Sequence, residues 1–412
     1  MIDTAAGAPL RWRDGLLPTF VGWVWARLCV AAGFAVAKVM VDVLDTPRGD
    51  LQIHEALFTW DGTYYRAIAE QWYVGIGDDA ARFFPVYPGL AKVLGPLFGG
   101  RTDLALIFVT NVAAFLGAWV VWRLTAEVLH TRRAAASDDD RDPDLGPGVS
   151  GWTRLRRLAS PAWTPDEGPV TARATADRAA WLTAIFPAAF VLSFAYSEGL
   201  ALLLVAATLL ALHRRAFVAA GGLALLLAAL RPTGGLILVA VLVELVRARP
   251  RPRRLDWVVG LGGPVLGLVG ALVWIEHSTG DLLLPVRLQS EIRGGLQDPV
   301  TRVLEPFAEI LTGDFRDVYN LGFMLVLLGL AAFAVHRRQP LSWLVYTAAS
   351  LVLLLSSQVT DSLGRYGLVV VPLVVALAQW ADVRWRQVLV AVGCSAGLVW
   401  LTSEALLGRM VP

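Results

Sequence analysis

The sequence predicts an all-α, polytopic transmembrane helical bundle, and three observations carry that expectation. Hydrophobic residues fill 56% of 412 positions and charged residues only 17%. Mean hydropathy is +0.58, well beyond a soluble domain, where roughly 45–50% of residues are apolar and about 25% charged. The apolar residues also gather into long runs separated by arginine-rich polar segments, the pattern of a chain threaded repeatedly through a bilayer.

The run from Leu16 to Leu44 is too long for a signal-peptide core and no small-residue cleavage pattern follows it. It is read as a retained first span, with Arg11 and Arg13 holding the amino terminus in the cytoplasm. The segment 45–102 then forms a first external loop with interfacial helices. In it, Asp61 is placed to N-cap a short helix whose Tyr64, Ile68 and Trp72 share one face. Phe83 to Gly99 fits no full crossing without inverting everything after it, so it is expected as a re-entrant or interfacial helix.

Leu104 to Leu129 is the next span. The loop 130–177, rich in Pro, Gly, Asp, Ser and Arg, is expected to be a disordered cytoplasmic loop. Its Asp138-Asp139-Asp140 run reads as a solvated charge run rather than a metal site.

Two apolar runs, Ala179 to Leu212 and Phe217 to Val246, would reach roughly 50 and 45 Å as single helices, against a hydrocarbon core of about 30 Å. Each carries polar residues near its middle: Ser193, Tyr196, Ser197 and Glu198 in the first, Arg231-Pro232-Thr233-Gly234-Gly235 in the second. Breaks are expected there, because an arginine at the bilayer centre costs about 2.5 to 3.5 kcal/mol. Trp257 to Ile275, Leu321 to Val335, Leu341 to Leu355, Tyr366 to Trp380 and Val388 to Leu407 complete about eleven spans, with the carboxyl terminus outside. The whole chain, 1–412, is one membrane domain.

This threading puts the arginines near 132, 154, 214, 247–254, 337 and 384 on the cytoplasmic side. Five polar segments then meet on the opposite face: Asp45 to Thr102, Tyr196 to Glu198, Arg231 to Gly235, His277 to Val318 and Gln358 to Arg365. A carboxylate, tyrosines and two helix-end arginines on one face suit an acid/base site joined to an anion site. The plainer readings stand beside that one: Asp61 as a helix cap, Arg231 and Arg365 snorkelling to headgroups, Glu198 capping a helix.

Other chemistries lack their residues. No GxxxxGK[ST] loop, strand-borne GxGxxG or HExxH is present, which removes those nucleotide sites and zincin chemistry. Cys29 and Cys394 are the only cysteines, too few for a disulfide framework or a thiolate metal site. Lys and Arg total 36 against 34 for Asp and Glu, so nothing points to nucleic acid. His54 and His277 lack partners at ligand spacing, and a divalent cation is left open.

Several motifs resemble the PIG-V family of mannosyltransferases, the eukaryotic GPI mannosyltransferase 2 and its bacterial, especially actinobacterial, relatives. They are Trp60-Asp61 with Tyr64-Tyr65 and Ile68-Ala69; Phe83-Phe84-Pro85-Val86-Tyr87-Pro88; Phe186-Pro187 with Tyr196-Ser197-Glu198; Arg231-Pro232-Thr233-Gly234; and Arg365-Tyr366 ahead of Pro372. Thr59 stands where relatives often carry Arg, and Tyr64 where His is frequent; these departures bear on the sugar and acceptor more than on the fold.

The resemblance implies a GT-C glycosyltransferase in the cell membrane, its active site extracytoplasmic. It would move a sugar, foremost mannose, from a polyprenyl-phosphate donor to a glycolipid, glycan or protein acceptor with inversion. Asp61 is then the catalytic base. Trp60, Tyr64, Tyr65, Tyr87, Tyr196, Glu198, Arg231, Arg365 and Tyr366 are the substrate-binding candidates. The competing readings are a carrier-linked glucose or arabinose as donor, a transporter or flippase of a lipid-linked saccharide, and a silent partner of another transferase.

Overall fold

Helix length follows the uninterrupted apolar runs, and helix breaks follow the polar residues within them. The computed structural model describes residues 11, 13–43, 51–139, 169–295, 297–311, 318–357 and 362–410; among these the regular elements are all helices.

The first span is α1 (Leu16–Asp42). The first loop folds into α2 (Asp61–Gln71) and α3 (Val86–Leu94) with short 3₁₀ turns between them. Then come α4 (Thr102–Asp139), α5 (Pro169–Ile185), α6 (Glu198–His213), α7 (Phe217–Leu230), α8 (Ile237–Arg247) and α9 (Arg254–Thr279). The remainder is α10 (Leu284–Arg293), α11 (Pro299–Leu311), α12 (Val318–His336), α13 (Leu341–Leu355), α14 (Leu363–Val369), α15 (Val371–Trp380) and α16 (Arg384–Leu406).

By length and apolarity α1, α4, α9 and α16 can each cross a bilayer, and the bent pair α14 and α15 makes a fifth candidate. Shorter apolar helices pack among them, and the chain is a multi-pass membrane protein. Of the eleven expected spans, α8 has only 11 residues, about 16 Å of helix, and does not cross alone.

Both expected breaks are present. The first overlong run divides into α5, a 3₁₀ turn Ala189–Leu192 and α6; the second into α7, a 3₁₀ turn Pro232–Leu236 and α8. A third was not anticipated: the Tyr366 to Trp380 run bends by 86° between α14 and α15. Pro372 has no N–H to give the carbonyl of Leu368, so a continuous helix would lose a bond there.

The expected disordered loop 130–177 also needs correction at its ends. Residues 130–139 continue α4 and 169–177 belong to α5, because Ala- and Arg-rich sequence sustains a helix after the apolar stripe stops. Its middle, like Asp45 to Asp50, lies outside the described residues. Phe83 to Gly99 is helical over only Val86–Leu94 and Gly95–Phe98, short of a crossing.

Small residues let the helices approach. Where α7 meets α9, a Cβ on Gly263 would sit 2.2 Å from the carbonyl oxygen of Gly221, so only glycine permits that contact. The parallel pair α4 and α6 sets the ends of the bundle. Thr110 Oγ1 donates to the Tyr196 carbonyl at one end (2.8 Å), and Arg214 grips Glu127 at the other. Arg132 Nη2, also at that second end, donates to the carbonyl of Arg338. The basic turns thus gather at one end, and the breaks that precede α6 and α8 lie at the opposite one.

Candidate functional site

The breaks bring together side chains that are far apart in sequence. Trp60, with φ 56° and ψ −117°, turns the chain into α2, and its Nε1 donates to the Ala405 carbonyl at the end of α16 (3.0 Å). The Ala195 amide donates to the Leu57 carbonyl (2.8 Å), tying the same loop to the α5–α6 break. Held from two sides, Asp61 becomes the first residue of α2. It is not the N-cap: that position belongs to Trp60, which makes no side-chain cap, while the Asp61 carboxylate turns to an arginine.

That arginine is Arg365. Its Nη1 donates to Asp61 Oδ2 at 2.5 Å, and its Nε lies 3.7 Å from Glu198 Oε1. Arg231 Nη1 donates to the same Glu198 oxygen at 3.3 Å. The cluster is buried: the side chains of Glu198, Arg365, Arg231 and Asp61 keep 2%, 9%, 12% and 23% of their accessible surface. Glu198 sits in the first turn of α6, where the amides at a helix start favour negative charge.

Arg231 is extended at φ −162° and ψ 146°, the conformation that a following proline imposes. The next turn is tight, since a Cβ on Gly234 would lie 2.2 Å from the Leu227 carbonyl oxygen. Arg365 stands in the first turn of α14, at the start of the candidate span that α14 and α15 form, and its side chain is buried. Neither arginine snorkels.

Aromatic rings orient both guanidinium groups. Arg231 lies 5.0 Å and Arg365 5.2 Å from the Tyr366 ring centre, and Arg365 is 5.6 Å from that of Tyr196. Such contacts fix a guanidinium plane while leaving its edge donors free. One donor is in fact idle: Arg365 Nε is buried and makes no hydrogen bond.

The remaining sequence candidates form the wall. Tyr196 is fully buried and donates from its hydroxyl to the Thr59 carbonyl (3.1 Å). The Tyr65 hydroxyl donates to Ser197 Oγ (2.9 Å). Burial first, then the charges of Glu198 and Asp61, push this phenol up, so it stays a neutral donor. Tyr87, also fully buried, places its hydroxyl 3.0 Å from the Leu106 carbonyl and 2.6 Å from Thr110 Oγ1. Tyr64 stacks on Phe83 with ring centres 4.9 Å apart, and Arg82 lies 5.7 Å from the Tyr64 ring.

Asp61, Glu198, Arg231, Arg365 and Tyr366 therefore form one centre over Tyr196, while Tyr65 and Tyr87 brace it and Trp60 and Tyr64 face other partners. Sequence reasoning named Ser197 only within the break and the Tyr196-Ser197-Glu198 motif and missed Thr110; the hydroxyls of both join those braces. Thr110 and Asn111 form a polar pair within the apolar stretch Leu104 to Val121, the one signal that marked Thr110. Among the described residues no three His, Cys, Asp or Glu side chains gather at metal-ligand distance.

A groove of about 870 Å3 lies away from this centre, between α1 and α16 with Trp181 of α5 at its back. Its walls, including Phe20, Val24, Leu28 and Val392, are apolar. Above it α1 meets α16 where Gly33 packs against Thr402, so groove and charged cluster are separate.

No protein-family model and no curated protein matches the sequence, so the likeness to the PIG-V family rests on its motifs. Solved structures of the Archaeoglobus fulgidus oligosaccharyltransferase are similar at low identity. One, tethered to an acceptor peptide containing the NVT sequon, is 12% identical over 94% of this chain and 56% of that chain, with a TM-score of 0.43. Another, in complex with zinc and sulfate, is 13% identical over 94% and 53%, also at 0.43. A third, AglB with an inhibitory peptide and a dolichol-phosphate, is 13% identical over 94% and 56%, at 0.42. The chain spans about half the length of these proteins, and superpositions this loose give no residue-by-residue correspondence.

Proposed function

We propose that the chain is a GT-C-type membrane glycosyltransferase of the cell membrane, taking a sugar from a polyprenyl-phosphate carrier on the non-cytoplasmic side. The observation that carries this reading is the buried Asp61–Arg365–Glu198–Arg231 cluster at the helix breaks. Two guanidinium groups share that centre with a partly exposed carboxylate, a combination suited to one anion and one proton transfer. Mannose as the sugar follows from the PIG-V motifs.

In this reaction the acceptor hydroxyl oxygen attacks the anomeric carbon while Asp61 takes its proton. The bond from that carbon to the phosphate oxygen breaks, and its electron pair leaves with the carrier phosphate. Arg231 and Arg365 donate to the phosphate oxygens as charge grows there. A single displacement inverts the anomeric centre. Tyr366 and Tyr196 hold the arginine planes, and Glu198 keeps both cations in place. Tyr64, on its ledge with Phe83, is the candidate to meet the sugar or acceptor. The acceptor class is a glycolipid, a glycan or a protein.

The test is purified protein with radiolabelled polyprenyl-phosphate mannose and an acceptor pool, with the glucose and arabinose analogues as rival donors. Label should pass to the acceptor, and Asp61→Asn should slow transfer by at least about a hundredfold while the protein remains folded in the membrane. Full activity in that variant removes Asp61 from the role. Movement of the lipid-linked sugar across vesicles without any transfer would favour the flippase reading instead.

A further inference from the structure

Charge at the centre is balanced, with two carboxylates against two guanidinium groups. A neutral cluster offers an incoming phosphate no net attraction. A carboxylate oxygen that already accepts from an arginine is also not directed at an acceptor hydroxyl. Both deficits disappear through one exchange. We propose that the carrier phosphate and Asp61 compete for Arg365, so that a seated phosphate takes the Arg365 donor and frees Asp61 to act on the acceptor. This deepens the glycosyltransferase reading and rests on it: donor must bind before the base is available.

Three features of the centre carry the exchange. Arg365 Nε is buried without a hydrogen-bond partner, and at 3.7 Å from Glu198 it is a donor awaiting an acceptor. The two acids differ in freedom. Glu198 is 2% exposed and lies between both arginines, whereas Asp61 keeps 23% of its side-chain surface, enough to rotate away without moving α2.

The third feature is the surroundings. Asp61 faces Arg365 from α2, Glu198 and Tyr196 from the α5–α6 break, Arg231 from the α7–α8 break, and Tyr366 from its own helix. Asp61 is therefore the mobile anion, and a phosphate entering beside it repels it from the arginine.

Asp61→Asn keeps the shape and removes the competing charge. Binding of polyprenyl phosphate to the full-length protein in micelles, with the phosphate-free polyprenol as control, should tighten about tenfold in this variant, roughly one decade in Kd. A second measurement needs no variant: an apolar carbodiimide should label Asp61 of the wild-type chain faster once polyprenyl phosphate is added. Absence of either gain overturns the exchange, and should Asp61→Asn not fold, the labelling decides alone. Unchanged phosphate affinity with lost transfer rejects the exchange and spares the base; retained transfer with tightened affinity rejects the base instead.

Discussion

Two acid–arginine clusters sit at opposite ends of the α4–α6 pair, about 25 Å apart by helix rise, and they are built differently. At the basic end, Arg214 grips Glu127 with two donors, Nε at 2.8 Å and Nη2 at 2.5 Å, while Arg123 adds a third bond at 3.0 Å from one turn away. Glu127 and Arg123 stand on the unbroken α4, and Arg214, just past the end of α6, is 46% exposed. At the broken end, Glu198 receives Arg231 at 3.3 Å and Arg365 at 3.7 Å through one oxygen. Only the single Arg365–Asp61 bond is short, at 2.5 Å; Glu198 is held in no fork, and a buried donor is idle. A pairing that only joins two helices is satisfied; one that is loose although buried has capacity for a ligand.

Removing the acid from each cluster should give the largest contrast. Glu198→Ala leaves two buried guanidinium groups short of compensation, a loss of about 3–5 kcal/mol of stability for a broken buried pair. Transfer should vanish with it. Glu127→Ala should cost less than about 1 kcal/mol, since solvent screens the half-exposed Arg214. Denaturant or thermal unfolding in detergent measures both. Similar losses at the two ends would mean that the inner cluster is not energetically distinct.

A smaller effect tests whether the helix break itself sets the arginine. In Gly234→Ala the new Cβ would meet the Leu227 carbonyl oxygen at 2.2 Å, whereas at Gly235 a Cβ meets nothing within 4 Å. Gly234→Ala should therefore destabilise by about 1–3 kcal/mol and raise the donor KM as Arg231 shifts. Gly235→Ala should stay within about 0.5 kcal/mol and keep wild-type kinetics. Equal kinetics in the two variants would detach the anion site from the turn.

The two intended breaks were legible because they lay in runs too long for one crossing, with Glu198 and Arg231 at the places where burial is costly. The bend at Val370 was not legible by that test, since Tyr366 to Trp380 has an ordinary span length. Arg365 was grouped with Asp61 and Glu198 on one face, but neither its burial nor its direct contacts with both carboxylates were legible. Hydropathy also ended α4 too early, because alanine and arginine carry a helix beyond the apolar stretch. Asp61 was singled out, but its partner is 304 residues away. Local spacing reads as a cap there, and only tertiary packing reveals the ion pair.

The smallest effect concerns the ring shared by the two arginines. Tyr366 lies 5.0 and 5.2 Å from the guanidinium carbons of Arg231 and Arg365, whereas Arg123 and Arg214 at the other end hold Glu127 through direct hydrogen bonds. Tyr366→Leu removes the ring and should weaken phosphate binding by about 0.5–1 kcal/mol, roughly two- to fivefold. The donor KM should rise while kcat changes little, because both charges remain. Tyr366→Phe keeps the ring and should bind phosphate as the wild type does. If the Phe variant is as weak as the Leu variant, the hydroxyl rather than the aromatic face holds the arginines, and the two clusters differ in burial and geometry alone.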